Sequence, residues 1–491
     1  MSVRQGVGLA CVLGFMFTGA SFGVTRYVNI SNATPASPYT TVGSAATNIQ
    51  HAINVATNGD EILVSPGVYR IRDALGIPSS KQLTLRSTQS RAAIMDAQRL
   101  CRGLVVWGTN SVVEGFTIRN GISTNNYGGG LYLNAACTVR DCLITHNEAW
   151  GAGGLFINAS SALVEDCTIQ SNLATHSGGG VWLYNYSTSV LNRCAIEGNV
   201  ASNYAGGVMF DGAGTVSNSW IADNRAVQME GGGVKMALGG RLINSVVVGN
   251  RSQTSGGGIY AVYGTMAHCT VVSNTTMGGG GGIQAFNFTA WNSIVYYNQA
   301  SSNSKVYADS SVFSNCCTAT NLGGSNFSSI PVFVSRATRD FHLVEGTSCV
   351  DSGATNPGVN IDYDGHPRPV AGTVGGQARY DVGAFEFQPG WDAGYTDMGG
   401  GWRRLTWFGD YVPMGSEGWI WHNKHGFLLA TDSSSASDIW FYAADMGWLW
   451  TSSTTYPFLY RASDGTWLWY NGETNPRWFR NMTAETWESR P

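Results

Sequence analysis

The sequence predicts an all-β chain: a parallel β-helix with three short strands in each coil of about 25 residues, then a small Trp-rich module of β-hairpins. Three observations predict it. Between Gly128 and Asn298 a glycine-led phrase is written seven times, as GGGLYL, GAGGLFI, SGGGVWL, YAGGVMF, EGGGVKM, SGGGIYA and GGGGIQA, with the apolar residue at Leu131, Leu155, Val181, Val208, Val234, Ile259 and Ile283. Each copy closes on a second phrase (CLITHN, CTIQSN, CAIEGN, SWIADN, SVVVGN, CTVVSN, SIVYYN) that ends in Asn147, Asn172, Asn199, Asn224, Asn250, Asn274 and Asn298. A third apolar column, Val139, Val164, Leu191, Val216, Leu242, Met266 and Ala290, stands three places before the Cys or Ser of that phrase. Apolar residues alternate within each phrase, the period of a strand, and a fixed repeat of this length is the mark of a solenoid.

Taken in order, residues 1–23 carry Arg4, the apolar run GVGLACVLGFMF and small residues at Gly19-Ala20-Ser21, and are expected to be a secretory signal peptide. Next, Thr47-x-x-Gln50 predicts a helix start, and Ile49, Ala52, Ile53 and Ala56 give one apolar stripe. That is a short helix suited to cover the first open coil. Residues 59–69 supply strand, turn and strand. The glycines are expected at a corner needing positive φ or close backbone approach, and the recurring Asn at another corner, where stacked amides bond along a column. From 300 to 387 the period dissolves into an irregular closing segment, so the helix and its caps are assigned to 24–387.

The stretch IQHAINVATNGDEILVSPGVY, residues 49–69, resembles the opening of secreted right-handed parallel β-helix proteins of the pectate-lyase-like class. The glycine and Asn phrases resemble the repeats of bacterial polymorphic outer-membrane proteins. The resemblance covers Tyr27 to Phe387 and implies a right-handed parallel β-helix, secreted or held at the cell surface. Its motifs are structural rather than catalytic.

Composition narrows the partners. With 28 Lys+Arg against 32 Asp+Glu there is no basic stripe for nucleic acid. No segment after the leader is apolar over the ~18 residues a membrane helix needs. Without Cys11 nine cysteines remain, an odd number that excludes a complete disulfide framework in one mature chain. Cys142, Cys167, Cys194 and Cys269 alternate with Ser219, Ser245 and Ser293 at one repeat position, as a small buried side chain would.

After the linker Gln388-Pro-Gly390, residues 391–491 hold 12 of the 17 tryptophans. WIWHNKHGFLLA, WFYAADMGWLWT, FLYRASDGTWLWY and WFRNMTAETW read as β-hairpins led by Trp419, Trp440, Phe458 and Trp478, with aromatics expected to supply most of the core. They loosely resemble the aromatic hairpins of choline- and glucan-binding wall modules. Trp419, Trp440, Trp448 and Trp467 are accordingly expected to bind carbohydrate.

On the helix, function is sought in the outward columns. The first strand's middle residues include Tyr132, Phe156, Trp182 and Tyr260, a row able either to stack on sugar rings or to pack on itself. Asp211, Glu230 and Lys235 are the catalytic candidates: two acids and a base on adjoining coils, with Asp211 and Lys235 roughly 8 Å apart at Cα. In a lyase Lys235 would be the base; the alternative is a surface ion pair. Asp141 and Asp166 stack as like charges that could chelate Ca²⁺, and Asp362-x-Asp364-Gly365 is either half a calcium loop or an Asp-Gly turn. No metal or other cofactor is assigned. The expectation is a secreted or cell-surface protein for adhesion or for binding an extracellular polysaccharide or cell-envelope glycan; the alternative is a polysaccharide lyase or glycoside hydrolase.

Overall fold

A computed structural model of the chain describes residues 23–491 except 160, 186, 303–304, 356–357, 373–375, 416–417 and 432–437. The leader expected over residues 1–23 lies outside these but for Gly23. No helix among the described residues is long and apolar enough to cross a membrane.

The repeat builds a stack of coils in which every strand pairs in parallel with its copies above and below. One coil shows the path: Leu131–Leu133, Thr138–Arg140, Leu143–Thr145, Glu148–Gly151, then Leu155–Ile157 of the next coil. The three expected ladders contain ten, twelve and eleven strands among the described residues. A fourth ladder of eight, from Ile122–Tyr127 to Gln299–Ala300, lies between the Asn corner and the glycines, where no strand was expected. Registers run without slippage in the three expected ladders, as Leu131↔Leu155↔Val181↔Val208 shows in the first, whereas the fourth shifts register at Ser123/Tyr127 and Ala149/Gly151. The inward columns read from the sequence (Val139 to Ala290, Ile144 to Val295 and both flanks of each first strand) fill a single continuous apolar core.

Corners hold the stack. The Asn147-to-Asn298 column is buried. In each step one Oδ1 accepts both the backbone N–H and the Nδ2–H of the Asn a coil earlier: Asn172 donates to Asn199 at 3.0 Å through each. The left-handed φ expected at this Asn falls instead on the residue before it, among them His146, Ser171, Asp223 and Ser273. The residue before each Cys or Ser, from Asp141 to Asn292, is left-handed too. The glycine triplets divide the work. The first has φ near +67° at Gly128 and Gly178, and in two coils Ala152 and Ala205 take that place. At the third, a Cβ on Gly130 would stand 2.7 Å from Asn147 Nδ2, so the amide column excludes any side chain there.

The Cys/Ser column is interchangeable in bonding as well as size. Cys142 N–H points at Cys167 Sγ at 3.4 Å, and Cys194 N–H at Ser219 Oγ at 3.1 Å. All nine described cysteines are free, and burial pushes the Cys194 thiol up to about 12.

The N-terminal helix, Ile49–Val55, buries Ile49, Ala52, Ile53 and, at its end, Ala56, as expected. Its cap is Asn48 rather than Thr47: Asn48 Oδ1 accepts from Gln50 N and His51 N, because the helix begins one residue later than the Thr47 pattern implied. The helix closes the first open edge through one amide, as Gln50 accepts from Gly76 N–H at 2.8 Å and donates to Gly76 O at 3.2 Å on the outermost strand, Leu75–Ile77.

The closing segment does two things. Val306–Asp309, Val312–Ser314 and Cys317–Thr318 complete one more coil. The chain then turns back along the outside of the third ladder, whose outward residues there are apolar: Phe333, Phe341, Val382 and Phe385 cover Ala222, Val246, Val248 and Val272. Polar clasps fix it, with Asn244 donating to Ile361 O at 2.7 Å, Asn292 to Ala354 O at 2.7 Å and Arg339 paired twice to Asp223 at 2.7 Å. Beneath, buried Arg368 donates to Ala384 O and His268 and lies 3.6 Å from Glu386. Burial, then the neighbouring Glu386, pushes the Asp381 carboxyl up to about 8.

Residues 396–490 form one antiparallel sheet of eleven strands in sequence order, among the described residues. The expected hairpins are all present, but not the expected core. One face buries Leu405, Tyr411, Ile420, Leu428, Phe441, Leu449, Leu459, Leu468 and Phe479. Ten of the twelve C-terminal tryptophans, all but Trp391 and Trp407, alternate onto the opposite face. The aliphatic residue between them, as in Trp448-Leu449-Trp450, fills the core instead.

Two stability outcomes follow from the corners and the closing segment. Asn199→Ala leaves two buried donors of Asn172 without their acceptor and should cost about 2–5 kcal/mol, while Cys194→Ser should stay within about 1 kcal/mol; urea melts check both. Because Asp381 has its pKa raised in the folded state, the stability it contributes at low pH is lost as pH rises from about 4 to about 8. The melting temperature should therefore fall as pH rises from about 4 to about 8, and Asp381→Asn should flatten that slope.

Candidate functional site

The outer side of the first ladder carries the predicted residues, and the fourth ladder supplies a wall beside it. Tyr127, Trp150, His176 and Tyr204 stand one or two places before the glycine corner in successive coils and lean over the first-ladder column. Tyr127 stacks on Phe156 at 4.4 Å and Trp150 on His176 at 4.4 Å. Phe156 and Trp182 are consequently only 1 % and 6 % exposed, so neither can offer a face to a sugar, contrary to the stacking expectation. The reason is that side chains on adjacent parallel rungs bury one another once a neighbouring strand adds rings of its own. Tyr132 and Tyr260 remain half-buried, and Tyr184 and Tyr307 are 38 % and 44 % exposed beside them.

The three catalytic candidates divide. Lys235 Nζ donates to Glu230 Oε1 at 2.9 Å and sits 3.4 Å from the centre of the Tyr204 ring. This is a shielded pair with a cation–π contact, its ammonium turned into the wall. Asp211 does not join it. Its Oδ2 accepts the Trp182 indole N–H at 2.9 Å, and burial pushes its carboxyl upward, while the Trp182 bond and the charge of Lys235 act the other way. His176, absent from the sequence candidates, lies near enough to Lys235 for that charge, after burial, to lower its pKa; its Nδ1 is bonded to Ser177 Oγ at 2.8 Å. The arrangement can hold a ligand by ring contacts and one raised carboxyl. It does not converge an acid, a base and a cation on one point.

The stacked carboxylates are accounted for by arginines. Asp141 pairs with Arg91 at 3.1 Å and Asp166 with Arg193 at 2.7 Å, and the Arg193 bond holds the Asp166 carboxyl below its ordinary range. The Ca²⁺ alternative for that pair is thus replaced by a charge ladder. Asp362-x-Asp364-Gly365 is a turn: Asp362 Oδ1 accepts from Asp364 N at 3.0 Å and His366 N at 2.8 Å, with Gly365 at φ +87°. Asp362, Asp364 and His366 bring three possible ligand atoms within 4.8 Å of one another, but Asp364 is bonded to His342 at 2.7 Å, which raises His342 to about 9.

The C-terminal sheet places Trp419, Trp440, Trp448 and Trp467 together on its outer face, with Trp448 41 % and Trp467 36 % exposed. Neighbouring rings meet edge to face, Trp450 with Trp467 at 6.0 Å and 80° and Tyr460 with Trp467 at 5.6 Å and 60°. Edge-to-face contact is one of the favoured arrangements of aromatic pairs.

Fold and face together define a right-handed parallel β-helix, and the comparisons with known proteins agree. Residues 102–276 match the family model described as a right handed beta helix region. The crystal structure of pectate lyase Pel9A is similar at 18 % identity, with 75 % of this chain and 98 % of that chain covered and a TM-score of 0.52. The complex of XylC with xylose aligns at 8 % identity over 74 % and 98 % of the two chains, with a TM-score of 0.42. The family 6 polysaccharide lyase Pedsa3628 from Pseudopedobacter saltans aligns at 12 % over 60 % and 70 %, with a TM-score of 0.30. At 18 % identity the likeness to Pel9A is one of fold alone. No curated protein matches the chain.

Trp182→Phe keeps the ring packing and removes only the indole donor. It should raise the pH at which Asp211 titrates, read by carbon NMR of the carboxyl, and cost about 1–2 kcal/mol in thermal unfolding.

Proposed function

We propose that this protein is a secreted or cell-surface β-helix that binds extracellular glycan and attaches through its C-terminal aromatic sheet. The observation that carries the reading is the tryptophan face: ten indoles on the side of the sheet away from its core, several more than a third exposed. A contiguous aromatic patch left in water marks a contact surface, and indole faces suit the CH faces of sugar rings. The half-buried and exposed rings of the coil, Tyr132, Tyr184, Tyr260 and Tyr307, extend the same chemistry to the helix. Secretion is supported by the leader-like residues 1–23 and by a surface poor in charge. Lys235 and Glu230 act in this reading as a structural pair that fixes the wall.

A second reading, a polysaccharide lyase or glycoside hydrolase, is supported by one feature: the Asp211 carboxyl, raised by burial, beside an aromatic shelf, as a general acid requires. New unsaturated or reducing ends from uronic-acid or neutral glycans, lost in Asp211→Asn, would establish that reading over simple binding.

Under the binding reading, the intact protein should be retained by insoluble or cell-envelope glycan. Trp448→Ala with Trp467→Ala should weaken retention by about tenfold at unchanged melting temperature. Retention equal to that of the unaltered chain would remove the tail from the binding surface.

A further inference from the structure

Several arginines of the coil pair with acids of neighbouring coils. Arg86 lies 2.9 Å from Glu114, Arg91 3.1 Å from Asp141, Arg119 2.9 Å from Asp96, Arg140 2.9 Å from Glu114 and Arg193 2.7 Å from Asp166. The fourth ladder places two arginines without such a partner on neighbouring rungs. Arg225 and Arg251 occupy the same register position in adjacent strands, Arg225–Ala226 and Arg251–Ser252, and both are exposed. Strands in a sheet lie about 4.8 Å apart, so the two side chains start from neighbouring rungs of one face. Neither has a carboxylate within 4.0 Å among the described residues. The one acid in this column, Glu148, stands three rungs away and is bonded to Arg99.

Like charges directly opposite one another on paired strands destabilise the sheet. The stacking serves no apolar packing, because the inward residues at these rungs are Ala226 and Ser252. Next along the same column come Thr275 and Gln299, in register with Arg251. They open a surface groove of about 330 Å³ lined by Arg251, Thr275, Gln299 and Ser301, with Met277 and Ala300 as its apolar part. The side chains of Thr275, Gln299 and Ser301 make no hydrogen bond among the described residues, so hydroxyl and amide donors stand free beside the two cations. Arginine forks pair with carboxylate and sulfate-like oxyanions in two parallel bonds, which a chain of repeating acidic units can supply to both in turn.

We propose that Arg225, Arg251 and the groove beyond them form an anion-binding site for the carboxylate or sulfate groups of an acidic polysaccharide. The proposal rests on the glycan-binding reading above and names the ligand class on a face separate from the tryptophans. Binding of the intact protein to dextran sulfate, polygalacturonate and unsubstituted dextran, at low and at physiological salt, tests it; the first two polymers separate sulfate from carboxylate. Arg225→Gln with Arg251→Gln should weaken binding to the preferred polyanion by about tenfold and flatten its salt dependence, leaving dextran unaffected. Arg225→Lys with Arg251→Lys, which keeps the charge, should restore part of the loss. Polyanion binding unchanged in the Gln pair overturns the site, and so does an equal loss toward dextran. Single-stranded DNA bound as tightly as the acidic glycans overturns the ligand class. The two readings fail separately: Trp448→Ala with Trp467→Ala bears on the tail, and the arginine pair bears on this face.

Discussion

A parallel stack of coils stands only if every turn of the chain lies at the same height as the one below. The buried Asn column enforces that here. Each amide oxygen takes two bonds from the coil before it, and each amide nitrogen also reaches a backbone carbonyl of that coil, as Asn172 does to Ile144 O at 2.9 Å. The third glycine of each triplet completes the constraint, since Gly180 would place a Cβ 2.9 Å from Asn199 Nδ2. The Asn and Gly columns are therefore two halves of one corner. The apolar columns supply most of the stabilisation, but this corner sets the register in which they meet.

That corner was legible because its chemistry admits few substitutes. No side chain fits beside the amides, and the amide both accepts and donates along the column, so the repeat spells both out. The fourth ladder was not legible for the opposite reason. Several of its strands are two residues long, such as Val200–Ala201 and Thr275–Thr276, too short for an alternation to register, and a single small inward residue suffices at each. The aromatic wall was missed with it, although rings one or two places before the glycine corner in consecutive coils were a visible signal. Among the site candidates, Glu230 and Lys235 do meet, but Asp211 is held by Trp182, a reach across one rung that column spacing does not reveal.

The C-terminal sheet shows how composition misleads where alternation informs. Twelve tryptophans in about a hundred residues invite an aromatic core, because large rings bury the most surface. The order of residues says otherwise: in Trp419-Ile420-Trp421 and Trp467-Leu468-Trp469 a strand can bury either the centre or the flanks. The core side, where Phe408 meets Tyr456 at 5.7 Å and His425 meets Tyr470 at 4.5 Å, takes the residues between the indoles. The indoles are left on the outer side.

Outward groups on this scaffold then sort by whether the protein itself satisfies them. Asp141 and Asp166 pair with arginines of other coils, and Glu230 and Lys235 pair with each other within one coil, contacts that are each worth little in water. Phe156 and Trp182 are spent on the wall. Arg225 and Arg251 have no carboxylate within 4.0 Å among the described residues, and Trp421, Trp448, Trp467 and Trp487 of the tail stay more than a third exposed. A solenoid obtains its stability from neighbouring coils and so does not need such residues for cohesion. Stacked like charges and water-facing indoles lower stability or solubility where they stand. Their presence at two separate places on the chain is better explained by what they can hold than by what they support.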